Sequence, residues 1–243
     1  MKTTGPSVSE AITRDLAMRV IRGELPAGLA IAGENELALQ YSASRTSVRN
    51  ALQVLAAKGM LSIQPKRRTT VNAREMWSFL DADVLSWLED VGIEPDIVEH
   101  LMVTRLIFEP NAAAMAASNA NGHDLAAMED AWNLMLQGQQ QNSARLFEEG
   151  DLAFHLAILK ACHNPFLISI GSALSAAMML SFKQTLEEDL QLTKEAVEQH
   201  RILMEAIRMK QVDNSREIMR SILLEAANKK LWRDTPQKYS HLM

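Results

Sequence analysis

The chain, 243 residues long, lacks most of what would mark a secreted, disulfide-stapled or membrane-spanning protein. Its one cysteine, Cys162, excludes an intramolecular disulfide and fits a reducing cytoplasm. No basic-then-apolar leader opens the sequence, and no uninterrupted apolar run reaches about 18 residues, so neither secretion nor membrane spanning is expected. The apolar stretch Ala173 to Leu180 is too short to span. Also missing are a Gly-x-Ser-x-Gly elbow, a Walker loop, a dinucleotide fingerprint, and any Ser or Cys with a base partner in sequence terms. These absences argue against the commoner enzyme classes, and no internal repeat or low-complexity tract points to an array.

What is present suffices for a folded protein of two domains, since 47% of residues are hydrophobic and the length exceeds that of a usual single helical domain. The formal net charge of −5 conceals an asymmetry: residues 1–73 hold 10 Lys and Arg against 5 Asp and Glu, whereas the remainder holds 15 against 25. A locally basic head suits contact with a polyanion, and an acidic remainder limits non-specific adhesion.

The head carries helix signals in close succession. Val8 to Leu25 places Ile12, Leu16, Ala17, Val20 and Ile21 at helical spacing and stops at Pro26. A short helix from Glu34 to Tyr41 leads through Ser42-Ala43 into a third, which Ser42 or Ser44 can cap and Gly59 can end. Val48, Ala51, Leu52 and Leu55 form its apolar stripe, and Arg45, Thr46 and Arg49 lie opposite. Arg45 and Arg49 are one turn apart, so both guanidinium groups can enter one major groove; the same pattern also describes a solvated charged face. Beyond Gly59, Leu61, Ile63, Thr69, Thr70 and Val71 alternate around Lys66-Arg67-Arg68, which predicts a two-stranded wing with a basic tip. A winged helix-turn-helix accounts for every segment from about Val8 to Val71.

In this stretch the sequence resembles the GntR superfamily of bacterial regulators. The resemblance rests on Ile21-Arg22-Gly23, Leu25-Pro26-Ala27-Gly28, Glu34-Asn35-Glu36-Leu37-Ala38, Ser44-Arg45-Thr46-Ser47-Val48-Arg49, Ala51-Leu52, Leu55 and Lys58-Gly59-Met60-Leu61. It implies operator DNA as partner, contacted by Arg45, Thr46 and Arg49, with Glu34, Ser44 and Ser47 beside them; Lys66, Arg67 and Arg68, by their own charge, can hold phosphates. Departures are Ile31-Ala32-Gly33 before the second helix, Asn35, Asn50, and Arg68 where the wing normally has glycine.

From Trp77 onward no strand pattern recurs, and the residues read as helices near Val84–Val91, Pro95–Asn119, Gly122–Gln137, Ser143–Cys162, Pro165–Glu187, Leu190–Lys210 and Asp213–Arg233. The expected fold is therefore mainly α: a winged helix-turn-helix at 1–73, a junction at 74–94, an antiparallel all-α bundle at 95–235 and a tail at 236–243. Sites in such bundles are built from side chains on facing helices. Asp151 and His155 stand one turn apart and can grip a divalent cation or form a plain ion pair. His200, preceding Ile202-Leu203-Met204, can come to the same interior point. Arg105, on the apolar helix Leu101 to Pro110, needs an anion, and Glu109 one turn on can supply it.

The order Asp151, His155 and a distant His200 also resembles the FCD ligand-binding domain of the FadR-type branch of that superfamily. The resemblance implies a metal held by one aspartate and three histidines, but Ile222 stands where the last histidine is expected. Three ligands with open positions would still hold zinc or a similar ion, and a metal-free polar pocket is equally compatible. It also implies that Arg105 meets an effector carboxylate. The junction Trp77-Ser78-Phe79-Leu80-Asp81-Ala82-Asp83-Val84-Leu85-Ser86-Trp87 looks like that of galactonate-operon and related sugar-acid repressors; by residue type Asp81 and Asp83 can cap the helix that follows, a structural role. The expectation is a cytoplasmic homodimeric repressor, not an enzyme, released from its operator by a sugar acid. The alternatives are an effector-dependent activator and a metal-dependent enzyme carrying a DNA-binding head.

Overall fold

The computed structural model describes residues 7–186 and 189–230; the expected tail 236–243 and the end of the last expected helix at Arg233 lie outside the described residues. The chain divides into two compact units, Met1–Ile93 and Glu94–Met243. Within the first, α1 (Val8–Ile21) opens on a capping box in which Ser7 and Glu10 satisfy each other's backbone N–H groups. It ends before the expected Leu25, because Gly23 takes φ +75° and turns the chain out of the helix. Helices α2 (Glu34–Gln40) and α3 (Arg45–Ala57) follow, with Ser44, not Ser42, accepting the Ser47 N–H as the cap of α3. Val48, Ala51, Leu52 and Leu55 are buried beneath α3 as its periodicity requires.

The wing pairs β1 (Leu61–Ser62) with β2 (Thr70–Val71) antiparallel, and Ala30 adds an isolated bridge to Thr70 that the sequence pattern does not show. The segment after the wing is integrated into this unit. Helix α4 (Ala82–Val91), capped by Asp81 through the N–H groups of Asp83 and Val84, packs on α1 with Val84, Leu85, Trp87 and Leu88 buried. The expected junction 74–94 therefore lies almost wholly in the first unit.

The second unit consists of α5 (Pro95–Asn119), α6 (Gly122–Gln140), α7 (Ala144–Ala161), α8 (Pro165–Thr185), α9 (Lys194–Arg208) and α10 (Val212–Lys230). A 3₁₀ turn, Leu190–Thr193, precedes α9 where the sequence pattern suggested continuous helix. One buried cluster joins α5, α6, α7, α9 and α10 through residues such as Met102, Met128, Phe154, Ile158, Leu203 and Met219. Glycine sets how closely α6 and α7 approach: a Cβ on Gly150 would lie 2.5 Å from the Met135 nitrogen, and one on Gly138 would lie 2.4 Å from the Phe147 nitrogen. Helix α8 is long and apolar enough to cross a membrane by length and composition, with a mean hydropathy of 1.7, although no span was expected from the sequence. Ser169, Ser172, Ser175 and Ser181 return their hydroxyl protons to carbonyls of the same helix, which mutes its polarity. Its Gly171, Leu174, Ala177, Met178 and Leu180 are buried in the bundle, as in a core helix.

Candidate functional site

Two sets of side chains carry chemistry. In the first unit Arg45, Thr46 and Arg49 stand exposed along α3, and Lys66, Arg67 and Arg68 are exposed at the tip of the wing. Glu34 does not face outward as an independent contact. It grips Arg49 in a two-point pair, Nε to Oε1 at 3.0 Å and Nη2 to Oε2 at 2.7 Å. That bond lowers the Glu34 pKa and holds the guanidinium plane. The Ser44 hydroxyl lies 2.9 Å from that of Ser47 while it caps α3, and the Ser47 carbonyl accepts from Ser9. These two serines set the position of the helix start from which Arg45 and Thr46 project.

In the second unit, α5, α7 and α9 bring Arg105, Asp151, His155 and His200 together around one cavity. All except Asp151 are buried, and Asp151 keeps 14% of its side chain exposed. The Nε2 atoms of His155 and His200 each lie 3.3 Å from Asp151 Oδ1. Each imidazole is fixed from behind: His200 Nδ1 lies 2.7 Å from the Ala196 carbonyl, and His155 Nδ1 meets the Glu109 carboxylate. A proton on each Nδ1 leaves both Nε2 lone pairs turned to the aspartate, the orientation in which histidines ligate metals.

This donor set suits a divalent cation. Asp151, His155 and His200 offer three ligand atoms within 4.8 Å of one another, while Asp151 Oδ1 and His200 Nε2 are buried without a hydrogen-bond partner. Buried polar atoms rarely lack partners, so their convergence asks for a positive centre. Ile222, buried in the cavity wall, contributes no ligand, so any ion here has positions open to the cavity.

Arg105, 1% exposed, is engaged on several sides. Its Nε donates to Glu109 Oε1 at 2.6 Å and Nη1 to Ser181 at 3.0 Å, and the guanidinium carbon sits 4.4 Å from the Phe182 ring centre. Among the described residues Nη2 reaches only the His155 ring, at 3.4 Å. The Glu109 partner visible in the sequence is thus realised, and Nη2 is the donor best placed for a ligand. Burial raises Glu109's pKa, but Arg105 and His155 outweigh it and bring the carboxyl down to about 2. Asp151 follows the same logic when the two rings are protonated and donate to it: burial opposes ionisation, yet the imidazolium groups of His155 and His200 hold it well below the ordinary carboxylate range. For His155, burial lowers the pKa, but Glu109 and Asp151 outweigh it and raise it. Sequence reasoning missed the bond from Glu109 to His155, which joins residues 46 positions apart.

Comparison with known proteins draws the two sites into one frame. Residues 8–71 match the bacterial regulatory proteins of the gntR family, and residues 100–225 match the FCD domain. The chain belongs to the GntR family. Among the relatives of this GntR regulator, the galactonate operon transcriptional repressor of Escherichia coli is 30% identical over 200 residues, covering 82% of this chain and 86% of the relative. The HTH-type transcriptional repressor NanR of Salmonella newport is 25% identical over 209 residues, covering 86% and 79%. A solved structure of Lar, which controls the expression of the Listeria monocytogenes agr system, shares the fold at a TM-score of 0.65 and 19% identity, covering 96% of this chain and 100% of Lar. The GntR regulator is thus a DNA-binding transcription regulator with a ligand-sensing domain, and its relatives are regulators, not enzymes.

Proposed function

We propose that this regulator is a homodimeric repressor that leaves its operator when a sugar acid binds the cavity of the second unit. The cavity carries the reading: Arg105 Nη2 and the Asp151, His155 and His200 cluster face one space that Thr185, Thr193 and Gln199 also line. A cation held by the cluster, together with one arginine N–H, supplies two positive partners for a carboxylate. The neighbouring hydroxyl and amide groups suit a polyol chain. The resemblance to the galactonate operon repressor supports a hexonate over other acids. Arg45, Thr46 and Arg49 read bases, Lys66, Arg67 and Arg68 hold phosphates, and two heads on a palindrome give enough contacts for specificity.

In the resting state the divalent ion, when bound, supplies positive charge and open coordination positions. This chain's own residues do the remainder: Arg105 orients the carboxylate, and the buried Phe182 ring limits water around it. Effector binding acts by population shift, favouring a head arrangement that no longer spans two half-sites. The test is fluorescence anisotropy of an operator duplex titrated with galactonate and other sugar acids, with and without chelator. Release by a sugar acid in wild type, weakened at least tenfold in R105A, is expected. Release by no acid, or release unchanged in R105A, sinks the effector assignment.

A further inference from the structure

Glu109 lies 1% exposed behind the cavity and bonds two of its lining residues, Arg105 and His155. One carboxylate oxygen accepts from Arg105 Nε at 2.6 Å, and the other accepts from His155 Nδ1. Two N–H donors converge on one side chain, so both of its terminal atoms must be acceptors. A carboxylate meets that demand, whereas an amide has only one acceptor and would point its NH₂ at the second donor. The consequence reaches the far side of the imidazole. With Nδ1–H held by Glu109, the His155 ring is fixed with Nε2 toward Asp151 Oδ1, 3.3 Å away, and toward the ring of His200, whose centroid lies 5.5 Å from its own.

We propose that Glu109 is the positioning residue of the cation site, orienting His155 for ligation while it holds Arg105 in place for the effector. This rests on the reading that Asp151, His155 and His200 hold a divalent cation. Glu109 itself ligates nothing. It acts through His155, and because the same carboxylate carries Arg105, a change at the arginine is felt at the histidine and hence at the cation. Metal and effector binding are thereby coupled through one side chain, without a moving element between them.

The experiment compares the full-length wild type with E109Q, using Co²⁺ as the probe ion and ¹⁵N-labelled imidazoles. The wild type is expected to bind Co²⁺ with a visible d–d spectrum and to show His155 protonated at Nδ1 before metal is added. In E109Q, Co²⁺ affinity should fall by about 10- to 100-fold, the usual cost of removing an orienting partner, and the His155 ring-nitrogen shifts should move. A merely packed Glu109 would leave those shifts and the cobalt spectrum unchanged, which would overturn the proposal. Should E109Q fail to fold because Arg105 is left as an unpaired buried charge, the pair R105Q/E109Q removes that charge while still denying His155 its carboxylate, and the same shifts and titration decide. Absence of Co²⁺ binding by the wild type sinks the cation site and this proposal with it. Equal binding by wild type and variant overturns only the role of Glu109.

Discussion

Gly122 and Gly150 both belong to helices, yet they predict opposite responses to the same substitution. Ala is the better helix former by roughly 1 kcal/mol, and a Cβ at Gly122 meets nothing within 4 Å, so G122A should be neutral or mildly stabilising. At Gly150 a Cβ would press within 2.5 Å of the Met135 nitrogen and 2.9 Å of the Ala131 carbonyl, both backbone atoms that can yield only if α6 moves off α7. Such overpacking costs about 1–3 kcal/mol, enough to reverse the propensity gain, so G150A should melt several degrees below wild type. Moving α6 off α7 would also displace Asp151, the next residue. Paired thermal melts of the two variants check this, and G150A melting at or above wild type would refute the close-approach argument. The role of Gly150 is not legible in the sequence, because a glycine inside a helical run gives no sign of which backbone lies opposite it. Asp151 and His155 are legible because metal-binding residue types at helical spacing announce themselves, whereas His200, on another helix, is legible from its place before Ile202-Leu203-Met204 and from the family resemblance. Glu109 was seen as Arg105's partner alone, since its second bond depends on how α7 lies against α5.

At the scale of elements, α3 is fastened to the segment that follows the wing. Lys58, its C-cap, donates to Asp81 at 2.6 Å and to Asp83 at 2.8 Å, and its ammonium stands 5.6 Å from the Trp87 ring centre. The Ser78 N–H bonds the Lys58 carbonyl at 2.9 Å, and Gly59, at φ +76°, would drive a Cβ to 2.0 Å from the Met76 carbonyl oxygen. Asp81 thus serves both the end of α3 and the start of α4, a use that its capping role in the sequence does not reveal. Burial lowers the Lys58 pKa, but its bonds to Asp81 and Asp83 outweigh this and raise it; burial raises that of Asp81, which its bonds to Lys58 and Val84 outweigh and lower. The pair's contribution is therefore present above the ordinary Asp value of 3.8 and lost as pH falls through the lower folded value. It is likewise present below the ordinary Lys value of 10.5 and lost as pH rises through the higher folded value. K58M should destabilise the first unit by on the order of 1–2 kcal/mol, less than a fully buried pair because Asp83 is largely exposed. Urea unfolding across pH should show the gap between wild type and K58M widest in that window and closing at both ends. A gap independent of pH would mean that Lys58 contributes only its stem.

For the whole molecule, the charge asymmetry makes DNA affinity a property of how few cations do the work. The chain as a whole is acidic, so on the proposed reading its attraction to DNA is concentrated in Arg45, Arg49, Lys66, Arg67 and Arg68, all exposed in the first unit. These divide by role. Arg49 is held flat by Glu34, which suits it to a base edge, whereas the wing residues are long, exposed side chains suited to phosphate. Each phosphate neutralised steepens the dependence of log affinity on log salt by about 0.9. Removing Lys66, Arg67 and Arg68 together by alanine should therefore flatten the slope by up to about 3 per head, and twice that for the proposed dimer, while affinities for operator and scrambled DNA fall alike. R45A or R49A should instead lower operator affinity with little change for scrambled DNA, since a lost base contact costs about 1–3 kcal/mol of discrimination. Anisotropy titrations between low and moderate salt, on both duplexes, separate the two outcomes. A wing variant that relaxed specificity without changing the slope would place base reading in the wing, where Arg68 stands in the usual glycine's position, and would reverse the division of labour between wing and helix.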